Sequence, residues 1–316
     1  MDFTGLFSHF GELTTTGLAQ GAIYALVALG YTLVYGVLRL INFAHSEVFI
    51  SGAFAAIWTW SMLGLNQDSK VSGFGSILLY LLIAMVVAAL ASALAATVIE
   101  RVAYRPLRRR NAPPLAFLIT AIGASITISE AFGIFTRRLP QGVPNLVSNE
   151  PLFHIAGTPI RVMEVLIIGA ALLMMVGLDT FINRTRFGRG IRAVAQDPDT
   201  AALMGVNRDR TILLVFIAGG TMAGVAGLLY DIRIGAVTYS VGFLLGLKAF
   251  TAAVLGGIGN LRGALLGGLL LGLVENYASE LFGSQWKDFA AFAVLVVLLM
   301  FRPTGLLGES LGRARA

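Results

Sequence analysis

The sequence predicts an all-α integral membrane protein, a polytopic bundle of 8–9 transmembrane helices. Of its 316 residues, 57% are apolar and only 13% are charged, whereas about a quarter of the residues in a soluble domain are charged. Apolar segments long enough to cross a bilayer recur along the whole chain, and arginine-rich segments separate them. Because the apolar segments are spread evenly, residues 1–316 are interpreted as a single membrane domain.

Each helix that crosses the hydrocarbon core needs about 20 apolar residues. The segments that meet this requirement are approximately 17–38, 41–63, 74–99, 114–136, 162–180, 211–230, 244–259, 263–280 and 287–301. The seventh is short and rich in glycine, so it is either a complete span or a broken, re-entrant helix. The count is therefore eight or nine.

The orientation follows from lysine and arginine, which collect in cytoplasmic loops. Two basic segments, 101–110 and 184–210, are predicted to be cytoplasmic loops. The resulting topology puts sixteen basic residues inside, six outside and Lys248 in the membrane. It places the N-terminus outside and the C-terminus in the cytoplasm, and it explains the net charge of +6 without a nucleic-acid partner.

The second basic segment also has features of a docking element. Residues 189–204 are predicted to be helical, with Asp197-Pro198 as a turn or the start of a second helix. Small side chains there would let a groove of another protein approach the backbone, and two arginines one helical turn apart would add charged contacts. The alternative is a solvated loop that only fixes topology. The residues assigned to this contact are Arg189, Arg192, Ala193, Asp197, Ala201, Ala202 and Gly205.

Polar residues at the start of the second span suggest a transport path. Asn42, His45 and Glu47 lie within an otherwise apolar segment, and such groups usually face a bundle interior or a watery cavity. The alternative is a helix N-terminus at the interface, capped by Asn42 and with Glu47 stabilised by the helix dipole. Gly52 and Ala56 have the spacing of a close helix contact.

Glycine recurs at every fourth residue near the seventh and eighth spans. Gly259, Gly263 and Gly267 are predicted to permit close helix packing, and the glycines just before them indicate either a broken helix on a transport path or a tight turn. Lys248 and Glu275 lie within spans and are further candidates for the path. Lys248 could equally neutralise a nearby carboxylate.

The sequence contains no motif that favours catalysis or metal binding. It has no cysteine, its three histidines are far apart, and it lacks the glycine-rich loop of P-loop ATPases. We therefore expect no enzymatic activity, no metal and no bound cofactor in this chain.

Four segments in order resemble the branched-chain amino-acid permeases, H-type subunit, of the hydrophobic amino-acid uptake class of ABC transporters. The resemblance covers residues 15–308. Its segments are GLAQGAIYALVALGYTLVYGVLRLINFAHSEVFISGAF, FGRGIRAVAQDPDTAALMGVN, GLKAFTAAVLGGIGNLRGALLGG and FRPTGLLGE. The family pattern usually has glycine where this chain has Ser46, and serine suits a close contact nearly as well.

The resemblance implies an ABC-importer permease of the cell inner membrane that works with other subunits. These are a second homologous permease, two ABC ATPase subunits that use ATP and magnesium, and an external solute-binding protein. Residues 189–205 match the family's short cytoplasmic coupling helix, which binds a groove on an ATPase. Similar permeases carry urea or short amides, which leaves those solutes as an alternative to branched-chain amino acids. A self-contained channel or secondary transporter is the other alternative.

Overall fold

The computed structural model describes residues 9–69, 71, 73–147, 150–155 and 157–308. Lys70, Arg313 and Arg315, which entered the predicted charge distribution, lie outside these ranges. The helices are α1 (Phe10–Leu38), α2 (His45–Met62), α3 (Phe74–Ile99), α4 (Arg105–Arg109), α5 (Pro114–Phe135), α6 (Val162–Arg184), α7 (Arg186–Gln196), α8 (Pro198–Leu203), α9 (Arg208–Ile234), α10 (Val241–Gly256), α11 (Leu261–Phe282) and α12 (Lys287–Phe301).

Each predicted span overlaps one of these helices. In the described part of the chain, seven helical segments are both long and apolar enough to cross a membrane. They contain α1, α3, α5, α6, α9, α11 and α12. The protein is therefore a multi-pass helical membrane protein. Two buried helices are less apolar or shorter than these seven, namely α2 and the 16-residue α10.

The interior of the bundle is formed by α1, α2 and α9. Small residues allow α1 to approach α11 closely, because a Cβ added at Gly21 would lie 2.6 Å from the Gly268 carbonyl oxygen. A Cβ added at Gly272 would likewise clash with the backbone of Gly17 and Gly21. Such backbone contacts are the usual means of tight association between membrane helices. These four residues, Gly17, Gly21, Gly268 and Gly272, form a glycine seam between α1 and α11.

The outer helices expose large apolar side chains. Leu90 and Leu94 on α3, Ile126 on α5 and Leu173 on α6 are each at least 60% exposed. A contiguous apolar surface of this kind is unfavourable in water. The exposed faces of α3, α5, α6 and α12 are thus suited to contact with lipid.

The first basic segment, predicted to be a loop, is helical instead. The α3 helix continues through one π-helical turn, Glu100–Tyr104, into α4. Pro106 cannot donate the usual backbone hydrogen bond, and a π turn just before it accommodates the missing bond. The buried Glu100 carboxylate accepts hydrogen bonds from Arg105 and Arg108, at 3.2 and 2.8 Å, so these arginines extend the helix.

Two small antiparallel sheets occupy connections of this otherwise helical protein. Strands β2 (Pro151–Ile155) and β3 (Thr158–Arg161) form a hairpin before α6, and β1 (Gln141–Gly142) pairs with β4 (Ala236–Val237) after α9. The second pairing joins loops that are distant in sequence, which the local sequence pattern could not reveal.

The glycine-rich region forms a turn between two complete helices, α10 and α11. Positive φ angles of 104° at Gly257 and 100° at Gly259 reverse the chain there. The C-terminal segment then caps α10, because Leu306 N donates to the Leu255 carbonyl and Leu307 N to that of Gly256, at 2.9 and 3.0 Å. Of the two predicted alternatives, a broken helix and a tight turn, the protein therefore has the tight turn.

Candidate functional site

A charged cluster lies between α1, α10, α11 and α12. Lys248 Nζ lies 2.6 Å from Glu275 Oε1 and 2.5 Å from Asp288 Oδ1. Tyr24 Oη donates to Glu275 Oε2 at 2.7 Å. The Glu275 side chain is fully buried and that of Lys248 is 9% exposed, whereas that of Asp288 is half exposed. Lys248 thus neutralises nearby carboxylates, as one of the two interpretations predicted.

Burying these charges costs desolvation free energy, and removing one charged partner would also be destabilising. Two charges removed from water must be compensated by each other and by further hydrogen bonds. The Lys248 ammonium has two carboxylate partners, and the Glu275 carboxylate has one cation and one phenol. Only Asp288, near the start of α12, has substantial access to the surroundings. The pairing therefore stabilises α10 against α11 and α12 while leaving one partner in reach of solvent.

A second polar cluster surrounds Glu47 near the start of α2. The Glu47 side chain is fully buried, and its Oε1 accepts from Ser125 Oγ at 3.1 Å and from Ser46 Oγ at 3.3 Å. Its Oε2 has no hydrogen-bond partner in the described part of the chain. A Cβ added at Gly242 of α10 would lie 3.0 Å from that oxygen. Glu47 therefore lies deep in the packed interior and not at the surface of a helix end.

Asn42 and His45 belong to the same region but make separate contacts. Asn42 precedes α2 and does not cap it, because its Oδ1 accepts from Tyr104 Oη at 3.1 Å. The cap predicted as an alternative is thus wrong. The His45 ring packs edge-on against Tyr31, 4.9 Å between ring centroids, and directly against Gly30 of α1. Asn42 and His45 are each 2% exposed, so both lie in the interior of the protein.

The short helix α10 lies between the two clusters. Gly242 faces Glu47, and Gly246 directly contacts Ser46. Lys248 lies on the opposite face of α10, because two further residues rotate the side chain by about 200° around a helix. The predicted path residues thus form two groups, which α10 connects. Gly242 and Gly246 were missed, although their four-residue spacing was visible in the sequence.

The predicted packing residues divide between helix contacts and a turn. A Cβ added at Gly52 would lie 2.5 Å from Gly224 Cα of α9, and Ala56 is fully buried. Gly263 and Gly267 face the backbone of α10 at Gly256 and Ala252. Gly259 instead lies in the turn, with open space where its Cβ would be.

The second basic segment, which was predicted to dock against another protein, contains two short helices, α7 and α8. Thr185 Oγ1 accepts from Gly188 N at 3.0 Å and caps α7, while Asp197 accepts from Asp199 N and Thr200 N, at 3.0 and 3.2 Å, and caps α8. Hydrogen bonds from the Thr200 hydroxyl and these backbone groups lower the pKa of Asp197. The second of the two predicted alternatives, a helix start at Asp197-Pro198, is confirmed.

Some of the predicted docking residues in this segment are exposed, and others are buried. Ile191 and Val194 are buried against the bundle, and so is Ala201, which is 4% exposed. Arg189, Arg192, Asp197, Ala202 and Gly205 are exposed, and Ala193 is half-buried. Gly205 has a φ of 84° and ends α8. Leu203 and Met204, 88% and 80% exposed, were missed, and they form the most prominent apolar tip of the segment.

One further buried acid was missed because the sixth span was predicted to end at residue 230. Asp231 lies inside α9, is fully buried, and neither of its carboxylate oxygens has a hydrogen-bond partner in the described ranges. Glu130, by contrast, lies at an exposed position and pairs with Arg138 at 2.7 Å. The Glu130 carboxylate therefore partly offsets the positive charge of the basic residues that the predicted topology places outside.

Comparison with known proteins identifies a family over nearly the whole chain. The family model described as "Branched-chain amino acid transport system / permease component" matches residues 13–299. The high-affinity branched-chain amino acid transport system permease protein BraD of Pseudomonas aeruginosa is 42% identical over 307 residues, 95% of this chain and 96% of that protein. The corresponding LivH protein of Escherichia coli is 38% identical over 309 residues, 96% of this chain and 97% of that protein.

A more distant relative extends the comparison to another solute. The xylose transport system permease protein XylH of Escherichia coli is 31% identical over 147 residues, which is 44% of this chain and 35% of that protein. No solved structure matches the chain. The family match, the near-complete BraD and LivH alignments and the helical bundle lead to one conclusion: the chain belongs to the family of branched-chain amino acid transport system permease components.

Proposed function

We propose that this chain is the membrane-spanning permease subunit of an ABC importer for branched-chain amino acids. The observation that carries the proposal is the near-complete alignment with BraD at 42% identity. Its partners would be a second homologous permease, two ABC ATPase subunits and an external solute-binding protein. ATP and magnesium would be used by the ATPases, and this chain would bind no cofactor or metal and catalyse no reaction.

Of the predicted eight or nine spans, the proposed topology has nine, in one domain of the cell inner membrane: the seven long apolar helices together with α2 and α10. The N-terminus lies outside and the C-terminus in the cytoplasm. The distribution of arginines supports this orientation, because most of them lie at the end of the bundle that contains α4, α7 and the α10–α11 turn. The short α10 and the less apolar α2 count as spans because both are buried among longer helices.

The proposed coupling element is α7 with α8. Arg189, Arg192 and Ala202 are exposed there, and Leu203 and Met204 extend beyond them as an apolar tip. An apolar tip surrounded by charged groups has the composition of an interface core with a polar rim. The capped helices and the buried Ile191 hold this tip rigidly on α6 and α9, as the transmission of movement from an ATPase requires.

The proposed translocation path runs along α10, with the outer half of this helix as its moving part. Near the α10–α11 turn, Gly256 and Gly263 bring backbones into contact, which leaves no room for displacement. Farther from the turn, α10 is held by the Lys248 ion pairs and by the contact of Gly242 with Glu47. Side-chain contacts of this kind can exchange partners, so α10 would pivot about its Gly256 end and open a path beside Glu47 and Lys248.

Reconstitution tests the function. The chain would be incorporated into proteoliposomes with its permease and ATPase partners, and labelled leucine uptake would be measured with the external binding protein present. We expect ATP-dependent accumulation that unlabelled isoleucine and valine reduce and urea does not. Reduction by urea alone would favour the short-amide alternative, and uptake without ATP or partners would favour a channel or secondary transporter.

A further inference from the structure

A basic cleft lies where the ends of α1, α6, α10 and α11 meet the coupling helix α7. Its volume is about 790 Å³. Arg39 follows α1, Arg192 lies on α7 and Arg262 lies in the first turn of α11, and all three line the cleft. Among the residues that the structure describes, the lining contains one carboxylate, that of Asp179. Positive charge therefore exceeds negative charge inside this cavity.

The arginines are only partly neutralised by the protein. Arg262 Nη2 lies 3.8 Å from Asp179 Oδ2, and the Arg262 side chain is 74% exposed, so this contact is a weak ion pair. Arg192 donates to the Ile182 carbonyl oxygen and, at 3.4 Å, to Asn183 Oδ1, which are both neutral groups. Arg39 has no ion pair among the residues that the structure describes. Two of the three guanidinium groups thus lack a carboxylate partner within the described ranges.

The lining of the cleft also includes apolar side chains. Ile182, Val254, Ile258 and Leu261 line it beside the arginines. Since α1 and α6 end here and α11 begins here, the cleft lies at the boundary of the membrane-spanning region. A ligand that matches both kinds of lining residue carries an anionic group next to an apolar part.

We propose that this cleft binds the phosphate group of an anionic ligand. Guanidinium groups suit phosphate because they can form paired, charge-assisted hydrogen bonds with it. The apolar lining residues and the position at the membrane boundary favour the headgroup of an anionic phospholipid over free phosphate, since basic pockets between membrane helices bind such headgroups. The bound ligand would connect α7 to the ends of α1 and α11, which makes the position of the coupling helix dependent on it. Binding in this cleft would not depend on which solute is transported.

The test uses the full chain, purified and depleted of lipid, with native mass spectrometry to measure retention of phosphatidylglycerol, phosphatidylcholine or inorganic phosphate. We expect preferential retention of phosphatidylglycerol, weakened about fivefold by each of Arg39→Gln, Arg192→Gln and Arg262→Gln, as expected for one basic residue at an anionic surface. Arg110→Gln is the matched control, because Arg110 is exposed but does not line the cleft.

Two outcomes support the proposal and two overturn it. Loss of phosphatidylglycerol retention in the three variants supports a lipid source, and the same variant dependence for inorganic phosphate alone supports a soluble source. Equal retention by wild type and all three variants would overturn the proposal, as would an equal loss in Arg110→Gln. Thermal unfolding without ligand checks that each single variant is folded.

Discussion

Lys248 Nζ lies 2.6 Å from Glu275 Oε1, and this ion pair joins α10 to α11 in the interior of the bundle. The two residues are not equivalent in their other contacts. Lys248 has a second carboxylate partner in the half-exposed Asp288, whereas Lys248 is the only cation within ion-pair distance of Glu275 in the described part of the chain. Removing the lysine therefore isolates a buried charge, and removing the glutamate does not.

This asymmetry predicts unequal effects on stability. Lys248→Met should lower the free energy of unfolding by about 3–5 kcal/mol, the usual effect of leaving a buried charge without its partner. Glu275→Gln should cost less, because Lys248 retains Asp288, and the double variant should be more stable than Lys248→Met. Unfolding of the purified chain in detergent measures all three.

Glu130→Gln is the control for that series. It breaks an exposed ion pair with Arg138, and such pairs contribute about 1 kcal/mol or less. If Lys248→Met were no more destabilising than Glu130→Gln, the buried pair would not be what stabilises α10.

The close contact between α10 and α11 predicts a strict size limit. Gly267→Leu should reduce the yield of monodisperse protein, because its added side chain would meet the α10 backbone at Ala252 and Gly256. Overpacking typically costs about 1–3 kcal/mol or more. Gly123→Leu on α5 is the matched control, since a Cβ there meets open space. Equal yields by size-exclusion chromatography would contradict close packing at Gly267.

Helix positions were predictable from the sequence because long apolar runs can only be buried or placed in lipid. The ends were less predictable. The stretch from Arg101 to Arg110 was expected to be a loop, since charge pattern alone does not reveal that Glu100 pairs with Arg105 and Arg108 and extends the helix. Asp231 was missed because the predicted sixth span ended at residue 230, just before this charged residue, whereas α9 continues to Ile234.

Pairings between distant segments were the least predictable part of the site. Lys248 and Glu275 were identified singly, but their contact with each other, Tyr24 and Asp288 depends on the arrangement of four helices. Likewise, the small residues in 189–205 were predicted to let a groove of another protein approach the backbone, and this remains a prediction. Which of them face outward depends on the packing of Ile191 and Val194, and this left Ala201 inside and Leu203 outside.

Variants at the exposed tip of the proposed coupling element, α7 with α8, should lose transport without losing the fold. Replacing Leu203 and Met204 together by serine should weaken co-purification of the ATPase subunits and reduce solute uptake, because the exposed apolar tip would no longer fill a groove. Gly205→Trp is a poor test, since its φ of 84° would strain any larger residue. Ala202→Trp, at an exposed position with ordinary helical backbone, tests the same surface by adding bulk.

Asp199→Ser is the control for the coupling series. Asp199 lies on α8 with its side chain 90% exposed, and it makes one long ion pair with Arg208, at 3.8 Å. We expect near-normal uptake from this variant. Normal ATPase binding by the serine double variant, at normal membrane levels, would exclude the tip from the interface.

Topology can be tested cleanly because the chain has no cysteine. A cysteine at Arg110, an exposed position after α4, should react with a membrane-impermeant thiol reagent only from the cytoplasmic side. A cysteine at His154, an exposed position on β2, should react only from outside. The opposite pattern in intact cells and inverted vesicles would reverse the proposed orientation.

Movement of the outer half of α10 against a rigid α1–α11 pair is the central claim of the transport mechanism, and a distance measurement tests it most directly. Spin labels at Phe243 of α10 and Phe282 of α11, 50% and 49% exposed, would report the separation of the outer helix ends in the reconstituted complex, with and without ATP and binding protein. Labels at Phe10 and Phe282 provide the control across the glycine seam. We predict that the first distance changes by several ångströms between nucleotide states while the second stays constant. A Phe243–Phe282 distance that is the same in every state, in a complex that transports, would contradict the mechanism.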